Sequence, residues 1–397
     1  MNPPDTPAPR RIAHLDMDMF FAGVELLHYP ELRGQAMVVG GRSVDAPEIL
    51  ADGTRRFHRL KEYAGRGVVT TSTYEARALG VFSAMGMMKA AQLAPEAILL
   101  PANFEAYKHY SRLFKQAAAA IAPEIEDRGI DEIYLDLTRH AEDSRALAQR
   151  IKDAVRSATG LSCSICVAPN KLLAKIGSDL DKPDGLTLLD ATDIPARIWP
   201  LAARKINGIG PKAAQKLAGL GIMTIRDLAH AAPALLQKHF GLSYAHWLVE
   251  VAHGRDERPV ETESTPKSVS RETTFERDLH AKHDRAQLSE IFTDLCRRVA
   301  QDLQRKGYAG RTIGIKLRFR DFRTVTRDIS LPAPTQDAAV IRRSAGECLK
   351  RIALDERIRL LGVRVGTLMD ENESREFHAP EQGALGFGGF SFDEARM

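Results

Sequence analysis

The sequence has no long hydrophobic run: about 18 consecutive uncharged apolar residues, the minimum for a membrane-spanning helix, occur nowhere in its 397 residues. Its first ten residues are rich in proline and polar side chains, which is not typical of a secretory signal. We therefore expect neither a membrane-spanning helix nor a membrane partner. We also expect a cytoplasmic protein.

Cysteine is also scarce, with only four in the chain. So few cysteines exclude a disulfide framework of the secreted type. Cys163 and Cys166 form a C-x-x-C spacing, but no second pair completes a zinc site, and the segment SCSICVA is typical of a strand. Because residues three apart on a strand point to opposite faces, we expect buried thiols there.

The composition suits several cored domains, with 44% apolar and 27% charged residues. The net charge is only +4, yet it is unevenly distributed. Residues 267–364 contain 22 lysines and arginines against 13 acids, so the rest of the chain is net negative. One basic region near the C-terminus indicates a polyanionic partner.

The apolar spacing predicts an α+β region followed by other types of structure. Short strands alternate with helices up to about residue 189, interrupted by a polar segment at 42–66 that we expect to be a surface insertion with at most one short helix near 59–63. The later regions are an all-helical unit at 194–251, a linker at 257–267, a basic region with helices at 283–306 and 338–355, and a glycine-rich tail from residue 370.

Acidic residues stand beside apolar strands in two distant segments. Asp16 ends the strand that begins at Ile12, and Asp131 and Glu132 stand between Gly129 and another strand. Oxygen ligands from two loops suit Mg²⁺, and a pair of such ions serves phosphoryl transfer. Taken singly, Asp16 or Asp18 also fits an N-cap of the helix that begins near Phe20, and the Asp131–Glu132 pair also fits a solvated turn.

A second group of residues suits a triphosphate. Tyr74 and Arg77 open a helix after the strand that contains Thr71, and helix N-termini bind anions. Lys182 in a KPDG turn adds a point charge for the same anion. Ordinary surface charges are the alternative for each of these residues.

Two further patterns suit a nucleic-acid backbone. Gly208 and Gly210 are typical of a helix-hairpin-helix, whose backbone N–H groups approach a phosphate closely, and Lys212 adds charge. The strand RTIGIKLRFRDF alternates apolar residues with the cations Lys316, Arg318 and Arg320. The alternatives are an ordinary helical hairpin and a solvated sheet face.

In this order, the motifs resemble those of a Y-family DNA polymerase of the DinB (polymerase IV) type. The resemblance extends from about Ile12 to Thr367 and rests on LDMDMFFAGVE, TTSTYEAR, IDEIYLDLT, APNKLLAKIGSDLDKPDG, the helix-hairpin-helix and LLGVRV. It implies an α+β multidomain, right-hand fold with a ferredoxin-like palm, small fingers, a helical thumb with the helix-hairpin-helix, and an α/β little finger. The implied boundaries are 1–19 and 104–189 for the palm, 20–103 for the fingers, 190–256 for the thumb, 257–268 for the linker, 269–369 for the little finger and 370–397 for the tail.

The resemblance also implies roles for single residues. Asp16, Asp131 and Glu132, with the Met17 carbonyl, would hold two Mg²⁺ ions, while Asp18 has a supporting role. The nucleotide site implied by the resemblance includes Phe20, Phe21, Thr71, Tyr74, Arg77 and Lys182, with Phe21 as the steric gate against a ribose 2′-OH. The implied activity is low-fidelity, translesion DNA synthesis by what we expect to be a monomer, with primer-template DNA and dNTPs as substrates.

The tail contains Gln382, Leu385 and Phe387 in a Q-x-x-L-x-F pattern, similar to the peptide by which bacterial polymerases bind the sliding clamp. Two features depart from the family pattern: the 42–66 insertion, expected to affect substrate preference, and Gly129 in place of a serine, expected to be tolerated. The rival hypotheses are a palm-fold cyclase, a two-metal nuclease, and a catalytically weak adaptor that binds DNA and the clamp.

Overall fold

The computed structural model describes residues 9–41 and 44–370. The chain forms two compact units that divide between Ser264 and Thr265, and each has its own hydrophobic core. No helix within the described ranges is long and apolar enough to cross a membrane.

The strands are numbered in chain order. They are β1 Ile12–Met17, β2 Met37–Gly40, β3 Glu48–Ile49, β4 Arg55–Arg56, β5 His58–Arg59, β6 Val69–Ser72, β7 Ile98–Leu100, β8 Ile125–Asp127, β9 Glu132–Asp136, β10 Cys163–Ala168, β11 Leu186–Leu188, β12 Ser268–Leu279, β13 Tyr308–Phe319, β14 Thr324–Thr335 and β15 Ile358–Asp370.

The α-helices are numbered in the same way. They are α1 Phe20–His28, α2 Tyr74–Ala78, α3 Met87–Leu93, α4 Phe104–Ala119, α5 Ser144–Thr159, α6 Lys171–Gly177, α7 Pro211–Ala218, α8 Ile225–Ala229, α9 Pro233–Phe240, α10 Leu242–Ala252, α11 Arg285–Lys306 and α12 Ala338–Leu349. Single 3₁₀ or π turns occur at Pro30–Leu32, Leu60–Glu62, Ala191–Asp193, Ile194–Ile198 and Ala203–Lys205.

A five-stranded sheet in the order β11-β10-β1-β9-β8 is the centre of the first unit, and β1 lies in its middle. The alternation of side chains sorts the residues of each strand between two faces. Cys163 belongs to the core that α4 and α5 cover, whereas Cys166 packs with the residues of α6 and the helical region that follows. Both thiols are buried and free, so the expectation of buried thiols on opposite faces is confirmed.

A four-stranded sheet in the order β5-β7-β2-β6 lies in the 20–103 region. Here the prediction that 42–66 is only a surface insertion was wrong. Its 3₁₀ turn at Leu60–Glu62 agrees with the expected short helix, but β5 pairs with β7 as an edge strand. Leu60 and Tyr63 are 0% and 8% exposed, so this segment also supplies part of the hydrophobic core.

The start of the predicted linker is fixed to the central sheet. Asp256 accepts the backbone N–H of Leu172 at the beginning of α6 (3.0 Å). The carbonyl of Pro259 and the N–H of Glu261 bind a buried ion pair between Lys171 and Glu126. Residues 259 and 261 of the predicted linker are therefore hydrogen-bonded to the first unit.

The second unit is a four-stranded antiparallel sheet, β12-β15-β13-β14, with two helices. Ile313, Ile315, Leu317 and Phe319 of β13 share one core with α11 and α12, so both helices pack on the same face of the sheet. The helix α12 ends at Leu349, earlier than the predicted residue 355. The other face carries Lys316, Arg318 and their cross-strand neighbours.

Candidate active site

Strand pairing brings the predicted carboxylates together. Asp16 on β1 is directly opposite Glu132 on β9, so their side chains lie on the same face of the sheet. Asp131 immediately precedes β9, and its carbonyl accepts the backbone N–H of Met17 (3.0 Å). Three acids from two distant segments are thus neighbours at one edge of the central sheet.

His14 extends this cluster. A ligand atom from each of His14, Asp16 and Glu132 lies within 4.8 Å of the others. The imidazole is fully buried, and its Nε2 is 3.3 Å from a carboxylate oxygen of Glu132. Burial lowers the pKa of His14, so the ring is held as a neutral group beside the acids.

Two lysines balance the carboxylates. The hydrogen bond from His14 and the ion pair with Lys175 on α6 lower the pKa of Glu132 to about 2. The Nζ of Lys182 lies 2.5 Å from Asp16 Oδ1 and 3.2 Å from Asp179. Burial opposes the charged form of Lys182, but Asp16 offsets this and raises its pKa.

The remaining acid of the cluster, Asp131, is under electrostatic strain. Burial raises its pKa, and the negative charges of Asp16 and Glu132 raise it further. Such a set of crowded, partly buried oxygen donors is what a hard divalent cation stabilises. The residues present therefore fit a metal site.

Asp18 has a supporting position. Its side chain is 5% exposed, accepts a hydrogen bond from Ser164 Oγ (2.8 Å) and accepts the backbone N–H of Asp184 (2.8 Å). These bonds connect the segment after β1 with the loop that carries Lys182. The supporting role in catalysis that the family resemblance implies for Asp18 stays a prediction.

Tyr74 brings the predicted triphosphate residues to the same edge. The charges of Asp18, Arg77 and Lys182 all act on its pKa, which burial raises. Its hydroxyl is buried and has no hydrogen-bond partner among the described residues. Buried polar groups are nearly always paired, so this hydroxyl points to a missing ligand.

Arg77 and Thr71 are two more of the residues predicted to bind a triphosphate. The Arg77 guanidinium lies 5.0 Å from the Tyr74 ring centre, and within the described ranges no carboxylate is in ion-pair distance of it. Thr71 is 6% exposed on β6. A cation held by an aromatic ring and without an acidic partner is suited to an anion.

The two phenylalanines that begin α1 differ. Phe21 is half-buried and stacks on Tyr107, with ring centres 4.2 Å apart and planes 18° apart. Tyr107 is held in turn by a 2.5 Å hydrogen bond to the buried Glu25. Phe20 is 3% exposed and packs on Phe114, so its side chain is a core residue and only its main chain can meet a nucleotide.

Of the two helices predicted for the helix-hairpin-helix, only the one after the glycines is an α-helix. Gly208 and Gly210 are followed by α7, but a single 3₁₀ turn, Ala203–Lys205, precedes them. Gly208 has φ +108°, and a Cβ there would be 2.8 Å from the Trp247 ring. Around Gly210 a Cβ would meet nothing within 4 Å, so this backbone is accessible, and Lys212 is exposed.

The predicted row of cations is shorter and less positive than expected. Lys316 and Arg318 lie on one face of β13, whereas Arg320 follows the end of the strand and its N–H bonds to the Arg357 carbonyl. Lys316 is paired with Glu272. The predicted clamp motif, Gln382, Leu385 and Phe387, lies outside the described residues.

Sequence reasoning missed His14 and Lys175. His14 stands two residues before Asp16, so the period of a strand puts both on one face, and this signal was available in the sequence. Lys175 is on α6, and only the packing of that helix on β1 and β10 shows which acid it meets.

Comparison with known proteins supports the fold. Models of the impB/mucB/samB family and of its C-terminal domain match residues 15–179 and 266–378. DNA polymerase IV of Streptomyces coelicolor is 38% identical over 92% of this chain and 72% of that protein. DNA polymerase IV of Alkalilimnicola ehrlichii is also 38% identical, over 91% of this chain and 96% of that protein.

A solved structure, a Y-family DNA polymerase chimera, has a TM-score of 0.75 and 27% identity over 91% of this chain and 99% of that one. This match confirms the predicted α+β multidomain polymerase fold. The family models, the curated relatives and the structural match agree with one another. The chain therefore belongs to the Y family of DNA-directed DNA polymerases, in the group whose members are named DNA polymerase IV.

Proposed function

We propose that this chain transfers dNMP from a dNTP to the 3′-OH of a primer under the direction of a template, with pyrophosphate as the leaving group. The observation that carries the proposal is the grouping of Asp16, Asp131 and Glu132 beside the unpaired Tyr74 hydroxyl. The acids suit metal ions, and the hydroxyl suits the phosphates that such ions bind. Low-fidelity synthesis past damaged bases is part of the same proposal and rests on the family resemblance.

Asp16, Asp131 and Glu132, with the Met17 carbonyl, would hold two Mg²⁺ ions. When bound, such a pair lowers the pKa of an attacking hydroxyl and stabilises a leaving oxygen. His14 and Lys175 keep the Glu132 carboxylate ionised and oriented. Met17 contributes through its main chain only, because its side chain is 2% exposed in the core.

The triphosphate would lie between α2 and the loop of Lys182. Arg77 supplies a cation without an acidic partner among the described residues, and Tyr74 supplies the hydroxyl donor. The first N–H groups of α1, at Phe20 and Phe21, have no partner inside the helix and are available for a phosphate. The ring of Phe21, fixed on Tyr107, would then crowd a ribose 2′-OH.

Duplex DNA would be bound through its backbone. The accessible Gly210 main chain with Lys212, and the face of the C-terminal sheet with Lys316 and Arg318, are suited to phosphates without reading sequence. In this proposal 1–19 and 104–189 form the palm, 20–103 the fingers, 190–256 the thumb and 269–369 the little finger.

The rivals are less consistent with the site. A cyclase has no use for a basic sheet face, and a nuclease has none for the triphosphate group. A non-catalytic adaptor would not need three crowded acids, where burial and then mutual repulsion raise the pKa of Asp131.

The test is extension of a labelled primer on an undamaged template with dNTPs and Mg²⁺. We expect extension by the native chain and none by Asp131→Ala/Glu132→Ala, because the metal ligands are lost. A matched control is Glu142→Ala/Asp153→Ala, which removes two acids beside α5, outside the site, and should extend normally. DNA binding without extension by the native chain would favour the adaptor instead.

We also propose that the tail binds the sliding clamp through Gln382, Leu385 and Phe387. Deletion of the residues after Pro380 should abolish stimulation of synthesis by the clamp and leave synthesis without the clamp unchanged. Stimulation that persists after this deletion would contradict the motif.

A further inference from the structure

The open face of the C-terminal sheet contains two ion pairs built on the same plan. In one cross-strand row, Glu272 on β12, Gly362 on β15 and Lys316 on β13 are neighbours. In the adjacent row the order is Arg364 on β15, Gly314 on β13 and Asp328 on β14. Each acid is therefore two strands from its cation, with a glycine between them.

Each acid reaches its cation across the glycine. Glu272 Oε2 lies 2.8 Å from Lys316 Nζ, and Asp328 Oδ1 lies 3.2 Å from the Arg364 guanidinium. A Cβ at position 314 would be 1.9 Å from Asp328 Oδ1. A side chain in the middle of either row would displace the acid.

Backbone conformation does not require these glycines. Both lie inside strands, and neither Gly314 nor Gly362 has a positive φ. At position 362 a Cβ would be 2.9 Å from the Glu272 Cβ. The space that the glycines leave is therefore occupied by the two carboxylates.

The pairs remain open to solvent. Their four side chains are between 36% and 51% exposed, and they line a cavity of about 360 Å³ on the sheet face. Exposed ion pairs contribute little to the stability of a fold. The stability of the fold therefore does not explain why two ion pairs of this kind lie on one face.

We propose that Glu272 and Asp328 limit the affinity of this face for DNA by occupying, in the free protein, the positions that backbone phosphates take on Lys316 and Arg364. This inference rests on the proposed function, in which the face binds duplex DNA. Each phosphate must displace a carboxylate, which afterwards remains close to it with the same charge. The exchange weakens binding, lowers its salt dependence and speeds release of the DNA.

The test measures binding of the full chain to a labelled primer-template over a range of salt concentrations. Glu272→Gln and Asp328→Asn should each tighten binding by about two- to fivefold, since each removes one exposed like charge near a phosphate. The slope of log K against log salt should steepen by up to roughly one for each freed cation. Dissociation should be slower in both variants.

Two control variants each remove one negative charge from the helices α11 and α12, which cover the other face of the sheet. Glu347→Gln on α12 removes an acid that pairs with Lys350, and Asp294→Asn on α11 removes a partly exposed acid that pairs with Arg297 and Arg298. They should change binding much less than the sheet variants. Equal effects from all four variants would reduce the result to net charge and overturn the inference.

A third variant changes no charge. Gly314→Ala places a methyl group where the Asp328 carboxylate lies, and the end of that flexible side chain must move away from Arg364. Binding should tighten as it does in Asp328→Asn. Weaker or unchanged binding in both variants would overturn the inference for this row.

A double-mutant cycle separates this inference from the proposed function. Lys316→Ala should weaken binding, and in its presence Glu272→Gln should tighten binding less than in the native chain, because no cation is freed. If Lys316→Ala and Arg364→Ala leave binding unchanged, the DNA-binding role of the face fails. If they weaken binding while the acid variants do not tighten it, only the competition by the acids fails.

Discussion

The central sheet and the C-terminal sheet both pair acids with cations, but at very different exposure. The Lys171–Glu126 pair beneath the linker has side chains only 6% and 5% exposed. The Lys316–Glu272 and Arg364–Asp328 pairs are between 36% and 51% exposed. Charges that are removed from water become expensive to separate, whereas solvated charges exchange partners at little cost. The first arrangement holds a structure in place, and the second suits a surface that binds and releases a polyanion.

The largest effect should come from breaking the buried pair. Lys171→Met leaves the buried Glu126 without its buried cation, with only the more exposed Arg128 still in ion-pair distance at 3.3 Å. The change should lower the free energy of unfolding by up to about 3–5 kcal/mol. Lys316→Met on the C-terminal sheet should lower it by less than about 1 kcal/mol. Urea unfolding of both full-length variants measures the difference. Recovery in Lys171→Met/Glu126→Gln would show that the unpaired charge causes the loss, and equal costs for the two lysines would invalidate the comparison.

The next effect concerns pH in the metal-free protein. Glu132 has a pKa of about 2 in the folded chain and an ordinary value of 4.5, so its interactions stabilise the fold above about pH 4.5. That stability is lost as the pH falls from 4.5 towards 2, and it amounts to roughly 3 kcal/mol at most. Unfolding with a chelator present, from pH 6 to pH 3, should show a smaller acid-side loss for Glu132→Gln than for the native chain. A loss of the same size in both would contradict the assignment, and Lys175→Met should give an intermediate loss.

The third prediction concerns the choice between ribonucleotides and deoxynucleotides, separately from the binding of DNA. Phe21→Ala should raise ribonucleotide insertion relative to deoxynucleotide insertion by about 10- to 100-fold. The reason is that, in the proposed site, the Phe21 ring that stacks on Tyr107 excludes the 2′-OH. The salt dependence of DNA binding should not change. Single-nucleotide insertion with each substrate measures the ratio, and an unchanged ratio would remove the assignment of Phe21.

The smallest effect is expected on the open face. Lys316→Ala should weaken DNA binding by a few-fold and reduce the salt slope by roughly one. The ratio of ribonucleotide to deoxynucleotide insertion should stay as in the native chain. A changed ratio would mean that the two regions are not separate in function.

Several elements were predictable because their signals are local. The strand that contains Asp16, the turn before Asp131 and the alternation of strands with helices up to about residue 189 follow from apolar periodicity and turn residues. The segment 42–66 was not predictable in the same way. Its core residues Leu60 and Tyr63 are embedded in polar sequence, and β5 is only two residues long.

The sequence by itself determined which residues could bind metal, phosphate and DNA, since the type and spacing of side chains set that chemistry. Only the tertiary structure decided their partners: His14 and Lys175 for Glu132, Lys171 for Glu126, and Glu272 across a glycine for Lys316. Periodicity specifies the face of an element on which a side chain lies. The partner on that face depends on strand register and helix packing between segments far apart in the chain, which no local pattern encodes.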